Sequence, residues 1–120
     1  MLYIFKINQR MDTMSMLPNL ANFFAGAFLC NAIPHLASGL KGETFPTPFA
    51  KPRGVGHSSA MLNFFWGSFN LIAGIALLTY QPIVIGTNPK TAIFAAGFLV
   101  LGSYLSVHFG NVRIKYPKKN

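Results

Sequence analysis

Residues 59–80 read SAMLNFFWGSFNLIAGIALLTY, a run without a single Lys, Arg, Asp or Glu. At 1.5 Å per residue such a helix extends about 33 Å, enough to cross a hydrocarbon layer of roughly 30 Å. Its polar and small residues are ordered: Asn63, Gly67, Asn70 and Gly74 fall at i, i+4, i+7 and i+11, and Ser59 continues the stripe by one turn. Phe64, Phe65, Phe69, Leu71, Ile72 and Leu78 take the other surface. A helix alone in lipid can be apolar all round, so a stripe of this kind marks a face turned towards another helix. Glycine lets two backbones approach, and each amide can hydrogen-bond across the gap for roughly 0.6–2 kcal/mol. Gly67 and Gly74 are therefore helix-packing positions. Asn63 and Asn70 are either packing groups or the lining of a ligand site.

Outward from this run, the charges define the rest of the chain. Of 120 residues, 52% are apolar and only 10% charged, too greasy a composition for an ordinary soluble domain and too short for two. Residues 13–40, 54–89 and 91–112 carry no Lys, Arg, Asp or Glu. Each stretch can hold a membrane span. The expected fold is all-α and integral to the membrane: three transmembrane helices, at about 19–40, 59–80 and 91–110, in an antiparallel bundle spanning residues 19–112. Residues 1–18 are expected as an N-terminal tail, with Met11, Met14 and Met16 as alternative starts, and residues 113–120 as a basic C-terminal tail. A cleaved secretory signal with Ala37-x-Gly39 as its site competes with the first span, but Asn31 and His35 interrupt its apolar stretch.

The formal net charge of +8 raises nucleic acid as a partner. The basic residues, however, flank the spans instead of lining a face, which fits the lipid bilayer, with anionic headgroups at the tail, and not nucleic acid. Three spans place Lys6, Arg10 and Lys90 on one side and Lys41, Lys51, Arg53, Arg113, Lys115, Lys118 and Lys119 on the other. By the positive-inside rule the second group is cytoplasmic, and so is the C-terminus. Between spans one and two, KGETFPTPFAKPRGVG (41–56) contains prolines expected to hold it extended, and Ser58 or Ser59 is placed to cap the second helix.

Asn31-Ala32-Ile33-Pro34-His35-Leu36 puts an amide, a proline and an imidazole inside the first span. Pro34 lacks the N–H that would bond the Cys30 carbonyl, so a kink is expected there, aiming Asn31 and His35 towards the asparagine stripe. On the third span, Ala92, Ala96, Ser103, Ser106 and Gly110 form a small face; Ser103 and Ser106 are expected to pack against the second span. His35, His57 and His108 all fall on one side of the membrane. They are the metal or haem ligand candidates, if any such centre exists, although no HxxxH spacing supports one. Interfacial histidines bonding loop carbonyls are the plainer reading. No cofactor is implied. Cys30 is the lone cysteine, so no intrachain disulfide forms. Gly56-His57-Ser58-Ser59-Ala60 imitates a nucleophile elbow, but no parallel sheet is expected and Asp12 and Glu43 are the only acids.

Asn31-Ala32-Ile33-Pro34-His35, then Phe45-Pro46-Thr47-Pro48-Phe49, then Ser58-Ser59, Asn63, Trp66-Gly67 and Asn70 together resemble a group of small, uncharacterised bacterial integral membrane proteins with the pattern N-x-x-P-H, FPTPF and N-x-x-W-G-x-x-N. The resemblance covers about residues 22–80 and implies the bacterial inner membrane; it implies no activity. Two functions are expected. One is a non-catalytic accessory or oligomerising subunit, forming a homo-oligomer or binding a membrane partner protein through the Asn63/Gly67/Asn70/Gly74 stripe. The other is a small-ligand, metal or haem binding protein or minor transporter, using Asn31, His35, His57, Asn63, Asn70 and His108. An intramembrane hydrolase using Ser58 is the remotest.

Overall fold

The computed structural model describes residues 1–117, and for residues 11–14 the backbone path alone. Met11 and Met14, two of the alternative starts, and the basic residues Lys118 and Lys119 therefore lie outside the described side chains. The described chain forms three helices, α1 (Leu2–Leu40), α2 (Ala60–Tyr80) and α3 (Pro89–Lys115), and no strand. All three are long and apolar enough to cross a membrane. The molecule measures 68 × 28 × 23 Å, its long axis set by the 39 residues of α1.

Helix boundaries follow local chemistry. At the end of α1, Gly42 takes φ +71°, while its amide bonds the Gly39 carbonyl and the Glu43 amide bonds the Ser38 carbonyl. This is a Schellman stop, which requires a left-handed residue that glycine adopts without penalty. Ser59 caps α2 by accepting from the Leu62 amide at 3.1 Å. Asn88 caps α3 by accepting from the Thr91 amide at 2.9 Å, with Pro89 in the first turn, where its missing N–H costs nothing.

Two helices outrun the sequence reading. Residues 2–18 are not a separate tail but the first turns of α1, which passes through both Pro18 and Pro34. Leu2, Lys6, Gln9, Arg10, Met16 and Leu17 are strong helix formers, and no glycine interrupts them. α3 likewise runs on to Lys115, taking Arg113 and Lys115 into its last turn, where cations oppose the negative end of the helix dipole.

α1 is the centre: α2 and α3 both pack on it, and no Cα atom of α2 comes within 8 Å of one in α3. Against α2, a Cβ added to Gly39 would lie 2.6 Å from the Phe64 nitrogen, one on Gly67 2.8 Å from Leu36, and one on Gly74 2.6 Å from Leu29. Against α3, a Cβ on Gly26 would fall on the Phe94 carbonyl oxygen, one on Gly97 on the Phe23 carbonyl oxygen, and one on Gly102 would lie 3.1 Å from the Cys30 sulfur.

The expected nesting of the small face of α3 with α2 does not occur: Ser103 and Ser106 are exposed, as are Ala92, Ala96 and Gly110. α3 is oriented by Gly97, the residue whose backbone touches α1. Ser106, nine positions on, sits about 180° around the helix from it at roughly 100° per residue. Gly67 and Gly74 do pack, but on α1.

Candidate ligand cleft

Because α1 separates α2 from α3, a cleft of about 430 Å³ runs between them. Its floor is one stripe of α1, Phe24, Phe28, Asn31 and His35, spaced i, i+4, i+7 and i+11. Trp66 and Asn70 form the α2 wall, while Leu101, Tyr104, Leu105, His108 and Phe109 form the α3 wall. Pro46, Thr47, Pro48 and Gly54 close one end.

That closing segment is folded, not extended as its prolines suggest. Phe45 and Ser58 exchange both backbone hydrogen bonds, at 3.2 and 3.1 Å, and the Thr47 and Ser58 hydroxyls meet at 2.7 Å. The Thr47 carbonyl accepts from the Ala50 and Gly54 amides. Gly54 has φ +67°, a conformation that turns the chain back towards α3, where its carbonyl accepts from His108 Nε2 at 2.7 Å.

Asn63 locks this segment to the helices. Its amide nitrogen donates to the carbonyls of Phe45 at 2.8 Å, Ser59 at 3.0 Å and Ser58 at 3.3 Å. Its amide oxygen lies 2.8 Å from His35 Nδ1. Asn63 is 0% and His35 2% exposed, so with water excluded these partners are what satisfy Asn63 and the Nδ1 atom of His35. One turn earlier on α1, Asn31 donates to the Asn70 amide oxygen at 2.9 Å, and the Asn70 nitrogen donates to the Trp66 carbonyl at 2.7 Å. Asn31 and His35 thus each meet one asparagine of the α2 stripe. His35 also contacts the rings of Phe45, Trp66 and Phe109 edge-on, with centroids 5.5, 6.4 and 6.3 Å away.

All three histidines meet the 41–58 segment, but they do not share a cavity. His35 and His108 line the cleft, and His108 stacks on Tyr104 with the ring planes 9° apart. His57 is exposed, 3.5 Å from the Thr44 hydroxyl, in a separate cleft of about 420 Å³ with Lys41, Glu43, Arg113 and Tyr116. Among the described residues no three His, Cys, Asp or Glu side chains gather where they could hold one metal ion. The Ser58 hydroxyl is paired with Thr47 and not with a histidine.

The sequence reading passed over several groups. Asn22 is 0% exposed and neither of its amide atoms finds a partner among the described residues; Trp66 Nε1 is likewise buried and unpartnered. Asn22 carried the same signal as Asn31, an amide inside an apolar span. Thr47, Gly54 and Tyr104 carried none, because their roles depend on where the 41–58 segment comes to rest. Comparison with protein-family models, with curated proteins and with solved structures returns no match.

Proposed function

We propose that this chain is a three-span, antiparallel protein of the bacterial inner membrane, C-terminus cytoplasmic, whose work is to hold a small molecule in the cleft between α1, α2 and α3. The observation that carries the reading is the cleft itself: about 430 Å³, within the 300–1,000 Å³ usual for small-molecule sites, apolar in most of its wall and set with a few fixed polar groups. Asn31, Asn70, His35 and His108 are held in place by partners of their own, the preorganisation that binding sites need. The order of contacts supports the topology: along α2, Phe64, Gly67 and Gly74 meet Gly39, Leu36 and Leu29, whereas Phe94, Gly97 and Gly102 of α3 meet Gly26, Phe23 and Cys30. Exposed Phe65, Phe69, Ile72, Leu99, Val100 and Val107 form the outer surface that lipid would cover.

The Asn63/Gly67/Asn70/Gly74 stripe faces α1 and is spent within the chain, so it no longer argues for a partner protein. An accessory or oligomeric role has one feature in its favour, the exposed small face of α3 at Ala92, Ala96, Ser103, Ser106 and Gly110. Mass spectrometry of small molecules retained by protein extracted from native membranes tests the ligand reading. Retention of a stoichiometric compound by the wild type, lost in Asn70→Trp, which fills the cleft, is expected; an empty wild type counts against it. Crosslinking in the same membranes tests the accessory role, and C-terminal reporter fusions test the orientation.

A further inference from the structure

We infer that the cleft is a hydrogen-bond acceptor site, built for an uncharged, membrane-dissolved ring compound that carries a hydroxyl, such as a phenol or quinol. This rests on the ligand reading above and names the ligand class. The argument begins with proton positions. The carbonyls of Phe45, Ser58 and Ser59 can only accept, so the atom of Asn63 that faces all three must be its NH2 group. The Asn63 atom facing His35 is then the amide oxygen, and His35 Nδ1 carries the proton that bonds it. In a neutral ring this leaves Nε2 a bare acceptor, and no described residue donates to it. His108 reaches the same state from the other direction. The Gly54 carbonyl requires Nε2 to be the donor, leaving Nδ1 bare.

Asn31 adds a third acceptor. Its nitrogen donates to Asn70, whose own nitrogen donates to the Trp66 carbonyl, so the amide oxygen of Asn31 is the atom left over at the cleft. The lining thus offers two imidazole nitrogens and an amide oxygen that accept. Of the donors in these three side chains, only the second hydrogen on the Asn31 nitrogen remains uncommitted; the lining also holds as donors the buried Trp66 Nε1–H and the Tyr104 hydroxyl, the latter able to accept as well. No Lys, Arg, Asp or Glu lines the cleft, so nothing there neutralises an ionic ligand. Phe24, Phe28, Trp66, Tyr104 and Phe109 supply aromatic faces and edges for a planar ring. The backbones of α2 and α3 stay more than 8 Å apart, and Phe24 and Tyr104 at the cleft are 48% and 61% exposed, so the opening is sideways, towards the bilayer of the reading above.

Trp66, the sole tryptophan, is a built-in reporter on the cleft wall. The wild-type protein in nanodiscs at pH 7, where phenols are uncharged, is titrated with para-bromophenol and with para-bromoanisole. The two share a ring and a quenching bromine, but only the phenol can donate; concentrations are expressed per bilayer volume. Saturable quenching by the phenol is expected at a concentration roughly five- to tenfold below that for the anisole, the worth of one hydrogen bond. His108→Phe is expected to shrink this ratio towards one. Equal binding of the two probes overturns the acceptor assignment and leaves the cleft as a ligand site. A ratio that survives both His108→Phe and His35→Phe overturns the roles given to the imidazoles. Absence of saturable quenching by either probe overturns the ligand reading as well.

Discussion

The two faces of α1 are held by different physics. Towards α2, close packing at Gly39, Gly67 and Gly74 is joined by a polar contact: Asn31 bonds Asn70, His35 bonds Asn63, and Asn63 also fastens the 41–58 segment. Towards α3 the contact is steric, with Gly26 and Gly97 bringing the two backbones together. On the membrane reading proposed above, hydrocarbon offers no hydrophobic drive between helices, so amide bonds and close backbone packing are the available means of association. The polar interface fixes register and positions the histidines. The glycine interface sets distance, and the cleft exists because α3 is pinned to α1 at Gly97 without reaching α2.

Four experiments probe this contrast. The largest effect is expected from Gly97→Leu, because a Cβ there would occupy the place of the Phe23 carbonyl oxygen, which cannot move aside without moving α1. The α1–α3 pair should lose about 3 kcal/mol or more, at or above the top of the usual overpacking range. Unfolding in mixed detergent measures it, and a change under about 1 kcal/mol would show that the steric interface is looser than described.

Asn63→Leu comes next. It leaves His35 Nδ1 without a partner in a place closed to water and takes from the Phe45 carbonyl one of its two bonds, the other being to the Ser58 amide, at a cost of about 1–3 kcal/mol. It should also free the 41–58 segment, read as faster trypsin cleavage after the exposed Arg53. Unchanged cleavage would mean that the segment is held by Thr47, Ser58 and His108 alone.

A double-mutant cycle between Asn31→Leu and Asn70→Leu should return a coupling of about 0.6 kcal/mol and no more than about 1.7 kcal/mol, the range for interhelical side-chain bonds in membrane proteins. Coupling near zero would place the weight of the polar interface on the His35–Asn63 pair. Ser106→Leu should alter stability least, within about 0.5 kcal/mol, because Ser106 faces away from α1. A clear loss of stability at unchanged monomer mass would contradict the orientation assigned to α3, whereas loss of a crosslinked oligomer would assign its small face to a partner.

The sequence by itself determined that three helices form and where the chain turns between them, but not the outer ends of α1 and α3. Gaps between charges locate the three apolar helices, the serines ahead of residue 60 mark where α2 starts, and the period of Asn63, Gly67, Asn70 and Gly74 names its buried face. Asn31 and His35 were legible for the same reason, since polar groups in an apolar span must find partners. Periodicity, though, says that a face is buried and not which helix covers it. The stripe of α2 turned to α1, and Ser103 and Ser106 of α3, equally regular, were left outside.

Tertiary structure alone decided the rotation of α3, through Gly97, and the folding of the proline-rich segment, through contacts between residues as distant as Gly54 and His108. It also decided the histidines. His35, His57 and His108 look alike in sequence, but the partners of two of them fix which nitrogen holds the proton and place them in one cleft, while His57 lies in another. The physical reason is common to these cases. Helical period and capping are set by neighbours a few residues away, whereas packing distance, hydrogen-bond direction and tautomer are set by atoms that only the folded chain brings together.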